Sequence, residues 1–493
     1  MRTLRAIFTL ALATFGVVTL APSAARAAAP SSAYRIWTVA GDSTQCTTSP
    51  ICGDGGSATS GQLSFPQAVT LAPGGDVVFA DWGDSEVRMV SPTGVISLLA
   101  GGGTSCQSPP QCGDGGAATQ AQLTFPDGVA VDSAGNVYIA DSGDNEIRRV
   151  TPTGIISRVA GTGAPCAQPP SCGDGGPGPS AALNDPRGLA VDRQGNLYIA
   201  DTGDQEIRKL SPDGTITRVA GTGEACAKPP SCGDGGLALS AQLSFPQAVA
   251  VDHSGGLYVA DTGDQEIRRV SPLGTINRVA GTGTVCASPP SCGDGAAATS
   301  AQLSYPAGVS VDQAGQVFIA DTSDNELRMV SPNGTINRVA GTGSACAAPP
   351  ACGDSQRGPS ASLGYPEGLA VDGAGNVYLA DTYDNELRWL SATHAGRLTT
   401  ASGPVALAVL AKGVTATAVT VRYVLGQAAA LTLEVTHRHH SQQAATTQAA
   451  KGFGELIWDR GFAGRRATRG RYRLTVTATV GSQHASSSVS ITL

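Results

Sequence analysis

Histidine is almost missing from the body of this 493-residue chain: between residues 34 and 393 there is one, His253. That scarcity excludes a Ser/His/Asp nucleophile and a paired-histidine metal site from the region, since each needs imidazole as base or ligand. Long apolar runs are missing too. No stretch of about 18 uninterrupted apolar residues follows residue 30, so no membrane-spanning helix is expected. Basic side chains are few in residues 34–393, 18 against 36 acidic, whereas residues 394–493 carry 11 basic and 3 acidic. An acidic body argues against a nucleic-acid partner, which would need a basic surface. The opposite sign of the tail marks a second domain. The redox spacing Cys-x-x-Cys, the EF-hand loop pattern and helical periodicity are absent from the acidic region as well.

What the chain has is repetition. Six Cys-x5-Cys pairs recur every 60 residues: Cys46/Cys52, Cys106/Cys112, Cys166/Cys172, Cys226/Cys232, Cys286/Cys292 and Cys346/Cys352. Other signals keep step, among them Phe65-Pro66, Phe125-Pro126, Asp185-Pro186, Phe245-Pro246, Tyr305-Pro306 and Tyr365-Pro366. A fixed period of this size belongs to solenoids, propellers and arrays, whose units bury their apolar faces only against each other. Within one copy, turn residues separate four short apolar runs, Gly128–Val131, Val137–Ala140, Glu146–Val150 and Ile155–Ala160. Four antiparallel strands repeated six times predict an all-β fold, a six-bladed β-propeller over residues 34–403.

The first 29 residues read as a secretory signal peptide: Arg2 and Arg5, an apolar run from Ala6, then small residues ending in Ala25-Arg26-Ala27. An exported chain with an even cysteine count is expected to be disulfide-bonded, and pairing within each loop is the economical choice. Residues 404–493 turn rich in Ala, Thr and Val. Strand-like runs at Val405–Leu410, Ala418–Leu425, Ala430–Val435, Gly454–Trp458, Arg471–Val480 and Ser486–Leu493 predict a small β-sandwich.

The motif FP-x-G-V-A-V-D-x-x-G-N-x-Y-I-A-D-x-x-x-x-x-I-R, preceded by GDGG-x-A-x-x-A-x-L, resembles the NHL-repeat β-propellers, particularly secreted bacterial ones, over residues 34–393. Many units of that family carry Asn-x-Arg before Ile-Arg, where this chain has Asp144-Asn145-Glu146 and its equivalents, so ligand chemistry served by that Arg is not implied here. In the tail, Ala418–Leu425, Leu456-Ile457-Trp458-Asp459 and Gly470-Arg471-Tyr472 resemble an Ig-like module of flagellar hook-capping type. That resemblance implies framework roles for these residues. The strand-like segment Tyr34–Gly41 matches a fourth strand yet precedes the first unit, so it is expected to close the ring in blade six. Gly396–Gly403 is the competing candidate.

Two acidic sets should ring one face: Asp54, Asp114, Asp174, Asp234, Asp294 and Asp354 from the long loops, and Asp84, Asp144, Asp204, Asp264, Asp324 and Asp384 from the turns between strands two and three. The second set is the candidate ligand face. Turn-starting Asp residues bond their own backbone, and Arg88, Arg148, Arg208, Arg268, Arg328 and Arg388 can pair with the Asp ending strand two, so weak Ca²⁺ binding is the most this face should offer, with no other cofactor. His437-Arg438-His439-His440 reads as a polar hairpin tip. The expected function is that of a secreted, monomeric, non-catalytic binding or scaffold protein holding a protein, peptide or glycan on its loop face. The alternative is a propeller lyase or hydrolase with an axial divalent cation.

Overall fold

A computed structural model describes residues 34–47, 52–107, 109, 112–170, 172–229, 232–290, 292–347 and 352–391, and in the tail 407–414, 419–425, 429–437, 440–449, 452–458, 461–462, 465–467, 471–480 and 483–492. The signal segment 1–29, the competing strand Gly396–Gly403, the domain boundary at 403/404 and Arg438-His439 lie outside the described residues. Among those described, no helix is long and apolar enough to cross a membrane.

Each blade is built as its turns dictate. In the second, strands Pro126–Val131, Val137–Asp141, Glu146–Val150 and Ile156–Ala160 pair in sequence order. Asp132 accepts the N–H groups of Ala134 and Asn136, closing the first turn. A single 3-10 turn, Ser142–Asp144, reverses the chain, and Asn145 in the left-handed region (φ 54°) releases it into strand three. Apolar residues of successive blades interlock, so that Val78, Ala80 and Val87 of the first share one core with Leu123, Ile139 and Ile156 of the second.

The ring closes as expected from the N-terminal side. Arg35–Ala40 pairs antiparallel with Glu386–Ser391, from Arg35 opposite Ser391 to Ala40 opposite Leu387. Its side chains serve both neighbours: Tyr34 and Ile36 pack with Phe318 and Leu327 of blade five, Trp37 and Val39 with Val69 and Phe79 of blade one. A feature not anticipated from sequence protects the outer edges. Each long loop runs along the fourth strand of the blade that follows it: Gly115 N–H donates to Ile156 O (2.8 Å), Ile156 N–H to Gly116 O (3.1 Å) and Ala118 N–H to Gly154 O (2.8 Å). The last loop grips the N-terminal strand in the same way, Ser355 N–H to Ile36 O (2.7 Å) and Gly358 N–H to Tyr34 O (2.8 Å). Edge groups that could recruit foreign strands are thereby occupied.

The tail forms a sandwich. One sheet orders Leu407–Val414, Val419–Leu425 and Gly452–Trp458; the other orders His440–Ala449, Ala429–His437, Arg471–Val480 and Gln483–Thr492. Val421, Leu456 and Trp458 from the first meet Leu433, Leu474 and Val476 from the second in one core. His437 faces His440 at the end of a hairpin, as the sequence reading has it, and His440–Ala449 continues from it as a strand that the reading did not include. It is a ten-residue edge strand paired on one side only, so its polar side chains stay in water and carry no apolar alternation. His437 stacks on Tyr472 (4.3 Å) and bonds Arg471 O through Nδ1 (2.8 Å), a packing role.

Candidate functional site

The six disulfides join Cys46–Cys52, Cys106–Cys112, Cys166–Cys172, Cys226–Cys232, Cys286–Cys292 and Cys346–Cys352, and no cysteine of the described residues is free. Each closed loop is tied to its blade by the strand-three arginine. Arg208 donates to Asp201 (3.3 Å), Asp174 (2.8 Å), Cys172 O (3.2 Å) and Ala182 O (2.8 Å). The Asp ending strand two also accepts a backbone N–H, as from Asn184 to Asp201 (2.8 Å). The expected ion pair is therefore present in all six blades and recruits the long-loop Asp as a second partner.

The turn set is not on an open face. Asp84, Asp144, Asp204, Asp264, Asp324 and Asp384 are buried, at most 7% exposed, because the disulfide loop folds over the turn that carries them. In blades one to five a carboxylate oxygen of this Asp lies within 4.8 Å of both sulfurs of its disulfide. Oxidised sulfurs are not metal ligands, so the cluster lacks the donor set of a cation site. In all six, Oδ2 has no hydrogen-bond partner. Burial first, and neighbouring Glu86 next, push Asp84 up to about 7, and burial followed by Asp381 takes Asp384 to about 8. Glu146 and Glu206 rise to about 7 and Glu326 to about 8, again through burial.

These shifts fix a pH dependence. The folded pKa values lie above the unfolded values of roughly 4, so the native state holds more protons across the window from pH 4 to 8, and stability falls as pH rises through it. The melting temperature is expected to be higher at pH 5 than at pH 8 by roughly 5–10 °C, given the size of the ring. Thermal scans across this range check it. Asp84→Asn, which removes one titrating group without changing shape, should flatten the slope and raise stability at pH 8; a slope of opposite sign would sink the assignment.

The open feature of this face is its centre. In every blade the residue before the first-strand proline is held in the left-handed region: Phe65, Phe125, Asp185, Phe245, Tyr305 and Tyr365, with φ between 48° and 52°. For bulky side chains this conformation costs roughly 1–3 kcal/mol apiece. Side chains of the preceding blade fix it, since Phe65 N–H donates to Asn385 (2.9 Å), Phe245 to Gln205 (2.6 Å) and Tyr305 to Gln265 (2.6 Å). Five aromatic rings and one carboxylate are thus presented around the axis, Phe245 and Tyr305 being more than half exposed. Two turn residues join them: Trp82 stacks on Phe125 (4.8 Å), and Tyr383 packs on Tyr365 (4.5 Å) and Phe65 (5.8 Å).

Beneath the aromatics the chain carries a polar ring that sequence reasoning missed. A β-bulge follows each of these prolines, and a bulge re-aims its extra residue. The side chains at this position are Gln67, Asp127, Arg187, Gln247, Ala307 and Glu367, different outcomes in otherwise similar repeats. Gln67, Asp127, Gln247, Ala307 and Glu367 line an axial cavity of about 70 Å³, whose wall also includes Val69, Val129, Leu189, Val249, Val309 and Leu369. Arg187 lies 3.7 Å from Asp127 and bonds Asp185 at 3.0 Å. Burial, then the Asp127 charge, pushes Glu367 up to about 8 against the pull of Arg187 and a hydrogen bond from Gln67; burial lifts Asp127 to about 6. Unlike groups thus meet on the axis although the repeats are otherwise similar. The signal was in the sequence, as a strand position whose charge changes sign from copy to copy.

Comparison with known proteins places the repeat region. The family model described as the teneurin NHL domain matches residues 97–171, 157–231, 211–291 and 275–349, together just over half of the chain. Teneurin-4 of Mus musculus is 32% identical over 287 residues, 52% of this chain and 10% of that protein; Teneurin-m of Drosophila melanogaster is 33% identical over 234 residues, 44% and 8%. The chain thus spans about a tenth of the length of the curated relatives it matches. Among solved structures, an auxiliary nutrient binding protein from Bacteroides thetaiotaomicron superposes with a TM-score of 0.50 at 13% identity, covering 73% of this chain and 76% of that one, which bears on the fold alone.

Proposed function

Starting from the fact that this chain belongs to the teneurin NHL domain family, we propose that it is a secreted, non-catalytic binding protein that holds a protein, peptide or glycan over the axial mouth of its propeller, with the tail an Ig-like framework domain. The observation that carries this is the ring of bulky residues at positive φ around the axis. Strain of that kind is kept where it presents side chains to something, and exposed aromatic rings around a small polar pocket suit the apolar faces of sugars or peptide side chains. The signal-like N-terminus and six disulfides support an oxidising, extracellular setting. Calcium engages the buried carboxylates weakly at most.

The test is a glycan array and a displayed random-peptide library screened with the intact protein, followed by a Phe245→Ala/Tyr305→Ala double variant. Capture is expected to weaken at least about tenfold in the variant, with Trp82 fluorescence reporting ligand on the wild type. Ligands held equally by both would overturn the reading. Asp127 and Glu367 favour a second reading, a lyase or hydrolase with an axial divalent cation. Against it stands the donor set: of its two carboxylates Asp127 already pairs with Arg187 at 3.7 Å, which falls short of the six or more oxygens a divalent cation such as Ca²⁺ gathers.

A further inference from the structure

The axial ring is polarised. In chain order around the axis, Glu367, Gln67 and Asp127 are consecutive, contributed by blades six, one and two. All three offer oxygen acceptors. The same three blades carry most of the aromatics, with Tyr365, Phe65 and Phe125 each two residues before these acceptors and Tyr383 and Trp82 packed on them. Next to Asp127, blade three replaces the aromatic by Asp185 and supplies Arg187, which is shared between Asp185 (3.0 Å) and Asp127 (3.7 Å), so that the three carboxylates Asp127, Asp185 and Glu367 outnumber the one guanidinium. Ala307 leaves the ring open beside Glu367. Acceptors under aromatic faces attract cations, and three acceptors on one arc match the three N–H bonds of an ammonium group.

We propose that the axial pocket takes a primary ammonium group, with its alkyl or sugar stem lying against the aromatic rim. At about 70 Å³ the cavity has room for a few water-sized groups, enough for an ammonium head and the first atoms of its stem, which makes the group an anchor for a larger ligand outside. The inference rests on the binding reading above and names the chemistry its ligand must carry. It also has a proton signature. Glu367 is faced by Asp127, Arg187 and Gln67, and with its pKa near 8 it is mostly protonated at pH 7, so an incoming ammonium displaces that proton. For an amine that stays protonated throughout, as the lysine side chain does, affinity should rise from pH 6 to pH 8.5.

The experiment titrates the full chain by calorimetry in 0.3 M salt with two amines, Nα-acetyl-lysine methylamide and glucosamine, each beside its N-acetylated counterpart. Preference for the lysine derivative identifies a peptide source, preference for glucosamine a glycan source. Either amine is expected to bind at least about tenfold more tightly than its acetylated form, with proton release at pH 7 read from buffers of different ionisation heat. Glu367→Gln should abolish that preference, Ala307→Leu should block the pocket without touching its charge, and Asp213→Asn, exposed on the opposite face, should change nothing. If neither amine is preferred, or Asp213→Asn weakens binding as much as Glu367→Gln, the inference falls. Rim-dependent capture of neutral ligands would then still stand, and its failure is read separately from the Phe245→Ala/Tyr305→Ala variant.

Discussion

A chain lacking residues 30–40 is expected to lose the entire propeller in one cooperative step. The deleted strand buries Tyr34, Ile36, Trp37 and Val39, each at most 2% exposed, and it sits in two blade interfaces at once. At about 1.5–3 kcal/mol per buried side chain, the loss is about 6–12 kcal/mol. That is comparable to the roughly 5–15 kcal/mol by which a domain exceeds its unfolded state. Removing the strand also strips partners from the Ser355 and Gly358 amides and bares the edge of Glu386–Ser391. Calorimetry and near-ultraviolet circular dichroism decide it. Trp37→Ala, a milder change that empties one side of the Trp37–Trp389 contact at 5.0 Å, should cost about 3–5 kcal/mol. If the truncated chain melts like the intact one while deletion of 396–403 unfolds the ring, the closing strand has been taken from the wrong end.

Replacement of a single strand-three arginine is the other change with a large expected effect. Arg208→Met keeps most of the side-chain volume but leaves Asp201, which is fully buried, with a backbone N–H in place of an ion pair, and it removes the donor from Cys172 O and Ala182 O. Removing one partner of a buried pair costs about 3–5 kcal/mol, and each orphaned carbonyl adds about 1–3 kcal/mol. The disulfide loop would lose its tether. Urea titrations should show a lower midpoint, and Arg208→Met/Asp201→Asn should recover part of the loss because no charge is then stranded. A single variant with the wild-type midpoint would show that the disulfide, and not the arginine, holds the loop in place.

Much of this architecture is written in the repeat. Local turn chemistry at Asp132, Gly154 and their equivalents sets where strands end, and the same 60-residue spacing dictates six blades and six local disulfides. The segment at Tyr34–Gly41 betrayed its role because it has fourth-strand sequence without a blade of its own. Other features are set by tertiary placement and leave no local trace. Asp84 reads as a solvent-facing turn residue, yet the loop through Cys46–Cys52 covers it. Ala117 opposite Ile155 looks like a loop residue, since one bridge between distant segments has no periodicity to reveal it. The axial ring was hidden for a different reason. Its position follows a proline and resembles a variable surface site until the bulge turns it toward the centre, where Asp127, Arg187 and Glu367 come within each other's field.

The closing strand pair has a mechanical side. The chain enters that pair at Arg35 and leaves it at Ser391, and these two residues face each other at the same end of the ladder. Tension applied between the two flanks of the propeller would therefore load the hydrogen bonds one after another from that end, peeling the pair like a zipper instead of shearing all of its bonds together. The other five blades, each closed by strands from its own repeat, would feel none of the pull until the sixth had opened. The closed ring thus has one soft direction, and whatever tethers its two ends decides whether that direction is ever loaded.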